Sequence, residues 1–111
     1  MVTPEELIAF AERLAKDPSE VSQRAAVSRA YYAAFLHVAG RLEQEGLYRR
    51  RGSAADHGRV EEAAPLLAEP AGHFLYILRR KRNEADYDID DDFPAGSMEF
   101  ILLSARRLLE L

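Results

Sequence analysis

Between Ser19 and Gly46 the chain has no proline, and its single internal glycine is Gly40. A run of this length is long enough for about seven helical turns. Val21, Ala25, Ser28, Tyr32, Phe35, Ala39 and Leu42 recur there at steps of three and four, which marks one buried helical face over Glu20 to about Gln44. Ala25, Ala26, Ala30, Ala33 and Ala34 crowd the middle of the run. Small residues on several sides let other helices approach closely, so the pattern predicts the central helix of a bundle. Ser19 is placed to cap its start and Gly46 to end it.

The other segments read as partners for that helix. Thr3-Pro4-Glu5-Glu6 is a helix start, with a hydroxyl cap, proline at the first position and two acids, and Leu7, Phe10, Ala11 and Leu14 follow at helical spacing. Asp17-Pro18 closes that helix. Leu47 to Ala55 reads as a loop. His57 to Leu67 reads as a short helix with Val60, Ala63, Ala64 and Leu67 inward, its end blurred by Pro65. Glu69-Pro70-Ala71-Gly72 is a break. A fourth helix is expected from about His73 to Tyr87, with Phe74, Leu75, Leu78, Arg82 and Ala85 inward. Asp88 to Gly96, containing Phe93-Pro94, reads as a loop, and a last helix from about Ser97 to Leu111 carries Ile101, Leu102, Ala105, Leu108 and Leu109. No segment alternates with period two. The expectation is a single all-α domain over residues 1–111, an antiparallel up-and-down bundle of four long helices plus one short helix.

Composition removes several function classes. With no cysteine among 111 residues there is no disulfide framework, thiolate metal site or cysteine nucleophile. A formal charge of −4 argues against non-specific coating of nucleic acid. Basic clusters nevertheless stand at Arg49–Arg51 and Arg79–Arg82, and an acidic stretch over Asp86–Asp92 follows the second. The acidic start and the lack of a bilayer-length apolar run predict a cytoplasmic protein without a membrane segment.

Asp88, Asp90, Asp92 and Glu99 match calcium-loop positions one, three, five and twelve, but Phe93 stands where the sharp turn needs glycine. A solvated acidic turn is the reading there. The histidines, His37, His57 and His73, show no zinc-ligand spacing. His37 reads as structural, whereas His57, beside Asp56 at a helix start, could cap the helix or join a site. Arg82 and Asp86 are four apart and share a helix face. Ser28 and Tyr32 share the buried face of the long helix, with Arg29 and Tyr31 at its flanks. Packing of the two helices would bring Arg82 to the Ser28 or Tyr32 hydroxyl. Such a cluster could fix helix register, since a buried arginine must be paired, or could turn a guanidinium toward phosphate.

Ser28-Arg29-Ala30-Tyr31-Tyr32-Ala33-Ala34-Phe35, His57, and Arg82-Asn83-Glu84-Ala85-Asp86-Tyr87-Asp88 together resemble the HEPN family of small helical domains, in its bacterial branch with SRAYYAAF and R-x-x-ADYD signatures. The resemblance spans roughly residues 18 to 110. It implies a helical bundle that pairs as a homodimer, a possible minimal nucleotidyltransferase partner in a toxin–antitoxin-type module, and binding of RNA or nucleotide. Active members of the family are metal-independent ribonucleases with an Arg-x4–6-His motif. Arg82 and Asn83 match its first two positions, the histidine position falls near Asp86 or Tyr87, and no histidine follows His73. The resemblance thus offers Arg82, Asn83 and Tyr87 as candidate catalytic residues and Ser28, Arg29, Tyr32, His57 and Asp86 as candidate binding residues. It implies neither a cofactor nor a metal. The leading expectation is a domain that binds nucleotide, RNA or a nucleotidyltransferase. A ribonuclease using Arg82 with Tyr87 or His57, and a structural adaptor, are the alternatives.

Overall fold

The computed structural model describes residues 2–93 and 97–111. It is helical throughout: α1 (Pro4–Ala15), α2 (Glu20–Gln44), α3 (Ala55–Ala63), a 3-10 turn (Ala64–Leu66), α4 (Ala71–Tyr87) and α5 (Met98–Leu109), with no strand among the described residues. Residues 94–96, the end of the expected Asp88–Gly96 loop, lie outside the described residues. The radius of gyration is 13.5 Å, near the ~13 Å of a compact chain of this length. No helix of the described residues is long and apolar enough to cross a membrane.

The helix ends follow from local chemistry. Thr3 Oγ1 accepts from the Glu6 N–H and Glu6 Oε1 accepts from the Thr3 N–H, both at 3.1 Å, a reciprocal capping box. Ser19 Oγ accepts from the Ser22 N–H at the start of α2. At the other end Gly46 adopts φ +70°, which brings the Leu47 N–H to the Leu42 carbonyl at 2.9 Å and the Gly46 N–H to that of Glu43. Pro65 has no N–H to continue α3, and the backbone tightens there into the 3-10 turn. α4 begins two residues before the expected His73 and includes Gly72. A Cβ on Gly72 would stand 2.8 Å from the Glu61 carbonyl oxygen and 3.1 Å from two Pro65 ring carbons, so glycine permits α4 to meet the end of α3.

α2 is the centre: α1, α3, α4 and α5 all pack on it. Ala26, Ala30, Ala33, Ala34 and Ala39 are fully buried, and Ile8, Leu42, Leu75, Leu78 and Ile101 join them in one continuous core. Ser28, Phe35, Ala39 and Leu42 of the expected α2 face are buried, but the rotation of the helix differs from that face in part. Val21 is 75% exposed and Ala25 and Tyr32 are half-buried, whereas Val27, Tyr31 and Val38 are enclosed. On α1, Ile8 is enclosed and Phe10 lies outside. Leu67, expected inward, is half-buried, as are Leu102 and Leu109 of α5, and Ser104 is buried there.

Two polar residues near the start of α2 explain part of that rotation. The Gln23 amide donates to the Ala15 and Asp17 carbonyls at 2.8 and 2.6 Å and so closes the end of α1. Arg24, 8% exposed, donates to the carbonyls of Glu84, Ala85 and Asp91 at 3.1, 3.0 and 2.6 Å, meets Glu20 at 3.3 Å and stacks against Phe93. The first two of these carbonyls belong to the last turn of α4, where that of Glu84 also accepts the Asp88 N–H at 3.1 Å. The C-terminal ends of α1 and α4 therefore both lie at the N-terminal end of α2. At its other end Arg41 donates to the Leu111 carbonyl at 2.8 Å, and Arg106 of α5 grips Glu12 through two bonds and Glu5 through a third. Arg24→Ala leaves three carbonyls without their shared donor and is expected to lower stability by about 2–4 kcal/mol, read as a shift in the urea-unfolding midpoint.

Candidate functional site

The sequence candidates converge where the middle of α2 faces the start of α3 and the last three turns of α4. Spacing on each helix puts Ser28, Tyr31, Tyr32 and Phe35 on one side of α2, and Arg79, Arg82 and Asp86 on one side of α4. Arg82 Nε lies 2.9 Å from Asp86 Oδ2, an ion pair whose N–H is out of line for a hydrogen bond. The same carboxylate oxygen accepts from Ser28 Oγ at 3.1 Å, and Ser28 Oγ in turn accepts from Arg29 at 3.2 Å. Arg82 also donates to Asn83 Oδ1 at 3.2 Å. The expected meeting of Arg82 with Ser28 is thus made through Asp86, and with Tyr32 through the ring rather than the hydroxyl.

Tyrosine rings surround the Arg82 guanidinium, with centroids 5.4 Å away for Tyr32, 5.5 Å for Tyr87 and 5.9 Å for Tyr31. Arg29 lies 5.2 Å from the Tyr32 ring. A guanidinium within about 6 Å of an aromatic face is held by the ring quadrupole, so Arg82 is fixed in place without being neutralised by those neighbours. Its side chain is 15% exposed, while Asn83, Asp86 and Tyr87 face solvent.

His57 enters from α3. Its Nδ1 is 2.6 Å from the Tyr31 hydroxyl, and its ring packs 4.5 Å from Phe35 and edge-on to Tyr32. Burial, then the charges of Arg82 and Arg79, push its pKa below the usual histidine value, and burial pushes the Tyr31 phenol up. Both groups are neutral near pH 7, which leaves the imidazole able to take up a proton. Placement of His57 depends on its neighbour Asp56. That buried carboxylate accepts the N–H groups of Arg51, Gly52 and Ser53 at 3.2, 2.8 and 3.1 Å and pairs with Arg59. The Tyr48 hydroxyl beside it and these N–H groups hold its carboxyl down at about 2. Tyr48 itself is out of hydrogen-bond geometry with it. Asp56, rather than His57, organises the loop before α3.

Spacing did not single out two further members. Arg79 pairs with the mostly buried Glu61 at 2.7 Å, and both charges act on Tyr31. Arg79 is one turn before Arg82, and Glu61 one turn after His57, the signal by which both could have been found. Tyr31, read as a flank residue, is 1% exposed and joins Arg82 to His57. Three arginines against Asp86 and Glu61 leave the cluster with a positive excess, which suits an anion. His37 is half-buried away from it, near Arg41 and Glu5, and its Nε2 has no partner. Arg49–Arg51 are exposed, with Arg50 paired to Glu43. No group of three histidine or carboxylate side chains suited to a metal occurs among the described residues.

His57 is expected to titrate below 6.5, and Arg82→Met, which removes a nearby cation, is expected to move it upward, both read by NMR of the imidazole carbons. Since the folded value is depressed, the unfolded chain takes the proton first. Stability is therefore complete above the ordinary histidine range and falls as pH drops through it toward the folded value. No protein-family model, curated protein or solved structure matches the chain.

Proposed function

We propose that the chain is a HEPN-like domain that binds RNA or nucleotide through Arg82 and its neighbours Arg29, Tyr32, His57 and Tyr87. Pairing with a second copy, docking of a minimal nucleotidyltransferase, a toxin–antitoxin-type setting in a bacterial cytoplasm, and an antiparallel up-and-down bundle with α3 as its short member belong to the same reading. The last is supported by the helix ends that Gln23, Arg24 and Arg41 tie together. The observation that carries the function is the Arg82 guanidinium braced by Asp86 inside three tyrosine rings, at the edge of solvent. A planar, fixed guanidinium suits phosphate oxygens, and exposed Tyr87 offers a face on which a base can stack.

A second reading, metal-independent ribonuclease, is favoured by one observation. His57 shares Tyr31 and Tyr32 with Arg82 and is held neutral, so an arginine for the phosphate and an imidazole for proton transfer stand around the same rings. Tyr87, the other candidate, contacts Arg82 by its ring.

Fluorescence anisotropy with a labelled RNA oligonucleotide and a labelled nucleotide tests the binding reading. Arg82→Ala should weaken binding about tenfold or more, the worth of one charge-assisted hydrogen bond. Absence of binding by wild type, or equal binding by a folded Arg82→Ala, would sink it. The same samples incubated with total RNA and a chelator separate the two readings. Cleavage lost in both Arg82→Ala and His57→Ala makes the protein a nuclease, and intact RNA beside wild type makes it a binder.

A further inference from the structure

The hydrogen bond between Tyr31 and His57 has a direction, and that direction decides which ring nitrogen of His57 is left for a ligand. Tyr31 is 1% exposed, and among the described residues its hydroxyl has one hydrogen-bond partner, His57 Nδ1 at 2.6 Å. A hydroxyl carries one proton and a neutral imidazole carries one, and a bond between them uses only one of the two. The neighbours of Tyr31 take up neither. Phe35 offers a ring, and Arg79 and Arg82 carry donors only. Glu61, whose charge also acts on Tyr31, leaves its Oε1 without a hydrogen bond, so it does not accept the phenol proton either.

Two tautomers compete at this contact. With the proton on Nδ1, the imidazole would donate to the Tyr31 oxygen and the Tyr31 O–H would be buried without an acceptor, which is costly. With the Tyr31 O–H donating to Nδ1, both atoms of the contact are used, and the imidazole proton goes to Nε2. His57 Nε2 has no partner among the described residues, yet it is not enclosed as the Nε2 of His37 is, so it meets solvent. The His57 ring lies 5.6 Å from that of Tyr31 and 6.3 Å from that of Tyr32, and the Arg82 guanidinium lies 5.9 and 5.4 Å from the same two. An open N–H and a fixed guanidinium therefore flank one pair of rings.

We propose that Tyr31 is a positioning residue that locks His57 in its Nε2–H tautomer, so that His57 and Arg82 together donate to a phosphate group of the ligand. The donor role rests on the binding reading of the proposed function and deepens it: one charged and one neutral donor hold the anion. A neutral donor adds a hydrogen bond without placing a further cation beside Arg29, Arg79 and Arg82, which already repel one another. The same lock bears on the ribonuclease reading. An imidazole whose open nitrogen is protonated has no lone pair there with which to act as a base. A proton can enter only at Nδ1, and that turns the Tyr31 O–H away from its acceptor. The loop tied to Asp56 fixes the start of α3, so the ring is held at this contact from the backbone side as well.

Two measurements test the lock and the donor role separately. Long-range proton–nitrogen NMR of the wild type, above the His57 titration, should show Nε2 protonated and Nδ1 bare as a single tautomer. Tyr31→Phe, with circular dichroism showing it helical, should shift the Nδ1 resonance and give a mixture of tautomers. A proton on Nδ1 in the wild type, or nitrogen resonances unmoved in Tyr31→Phe, overturns the lock. The donor role is read by anisotropy with a labelled RNA oligonucleotide and a labelled nucleotide, which tell a phosphodiester from a terminal phosphate. A glutamine amide reaches about as far from the backbone as Nε2, and an asparagine amide only as far as Nδ1. Binding should fall about fivefold in His57→Asn, the worth of one neutral hydrogen bond, and be recovered in His57→Gln. Equal binding by His57→Asn and wild type, or equal loss in both variants, overturns the donor role. If the wild type binds neither probe, the donor role falls together with the binding reading, whereas the NMR result decides the lock without any ligand.

Discussion

The geometry of the candidate site depends on the buried guanidinium of Arg24. A desolvated arginine costs several kcal/mol unless it is fully paired, and here it meets three carbonyls, one carboxylate and one ring. The carbonyls of Glu84 and Ala85 sit at the negative end of the α4 dipole, where a cation is most welcome. This clasp sets α4 at one height along α2. One turn further along α2 from Arg24, Ser28 then falls opposite Asp86, and Asp86 reaches back to Arg82. The polar site is thus the second step of a ladder whose first step is structural.

The alanines of α2 complete that constraint. Ala26, Ala30, Ala33, Ala34 and Ala39 are enclosed and let α2 be surrounded by its neighbours. A helix enclosed on several sides has few exits for large side chains. Tyr31 stays inside, and its hydroxyl, which needs a partner once buried, finds the His57 nitrogen at 2.6 Å. Burial of Tyr31 thereby links the position of α3 to the rings around Arg82. The loop before α3 is closed independently by Asp56, so His57 is held from both sides.

Helix ends were the most legible part of this chain because their chemistry is local. Thr3 with Glu6, Ser19, Gly46 and Pro65 act on groups within a few residues of themselves. The pairing of Arg82 with Asp86 was legible for the same reason, being one turn of a single helix. The rotation of α2 was legible only in part, Ser28, Phe35, Ala39 and Leu42 being buried as their spacing implied. Alanine on several sides gives a period without a direction, so Val21 and Tyr32 were read as inward while Arg24 and Tyr31 take that place. Arg24 is buried for carbonyls some sixty residues away, and no pattern within α2 encodes them. His57 likewise reaches Tyr31 only through the packing of α3, which spacing along the chain does not contain.

The polar groups of the protein differ in how completely they are satisfied. Arg24 and Asp56 are ringed by partners, as residues that fix a fold should be, because a buried donor or acceptor left unmade costs about 1–3 kcal/mol. Among the described residues, four buried side-chain atoms lack an aligned partner: His37 Nε2, Tyr48 Oη, Glu61 Oε1 and Arg82 Nε. Two of these four belong to the cluster around Tyr31. A cluster serving register alone is better built from saturated bonds or from apolar side chains, and α2 and α4 already have their register from Arg24. Rings hold Arg82 in place while its buried Nε–H stands out of line with Asp86, 2.9 Å away. That combination, a cation fixed by its neighbours but not saturated by them, is the one the proposed anion-binding role would use.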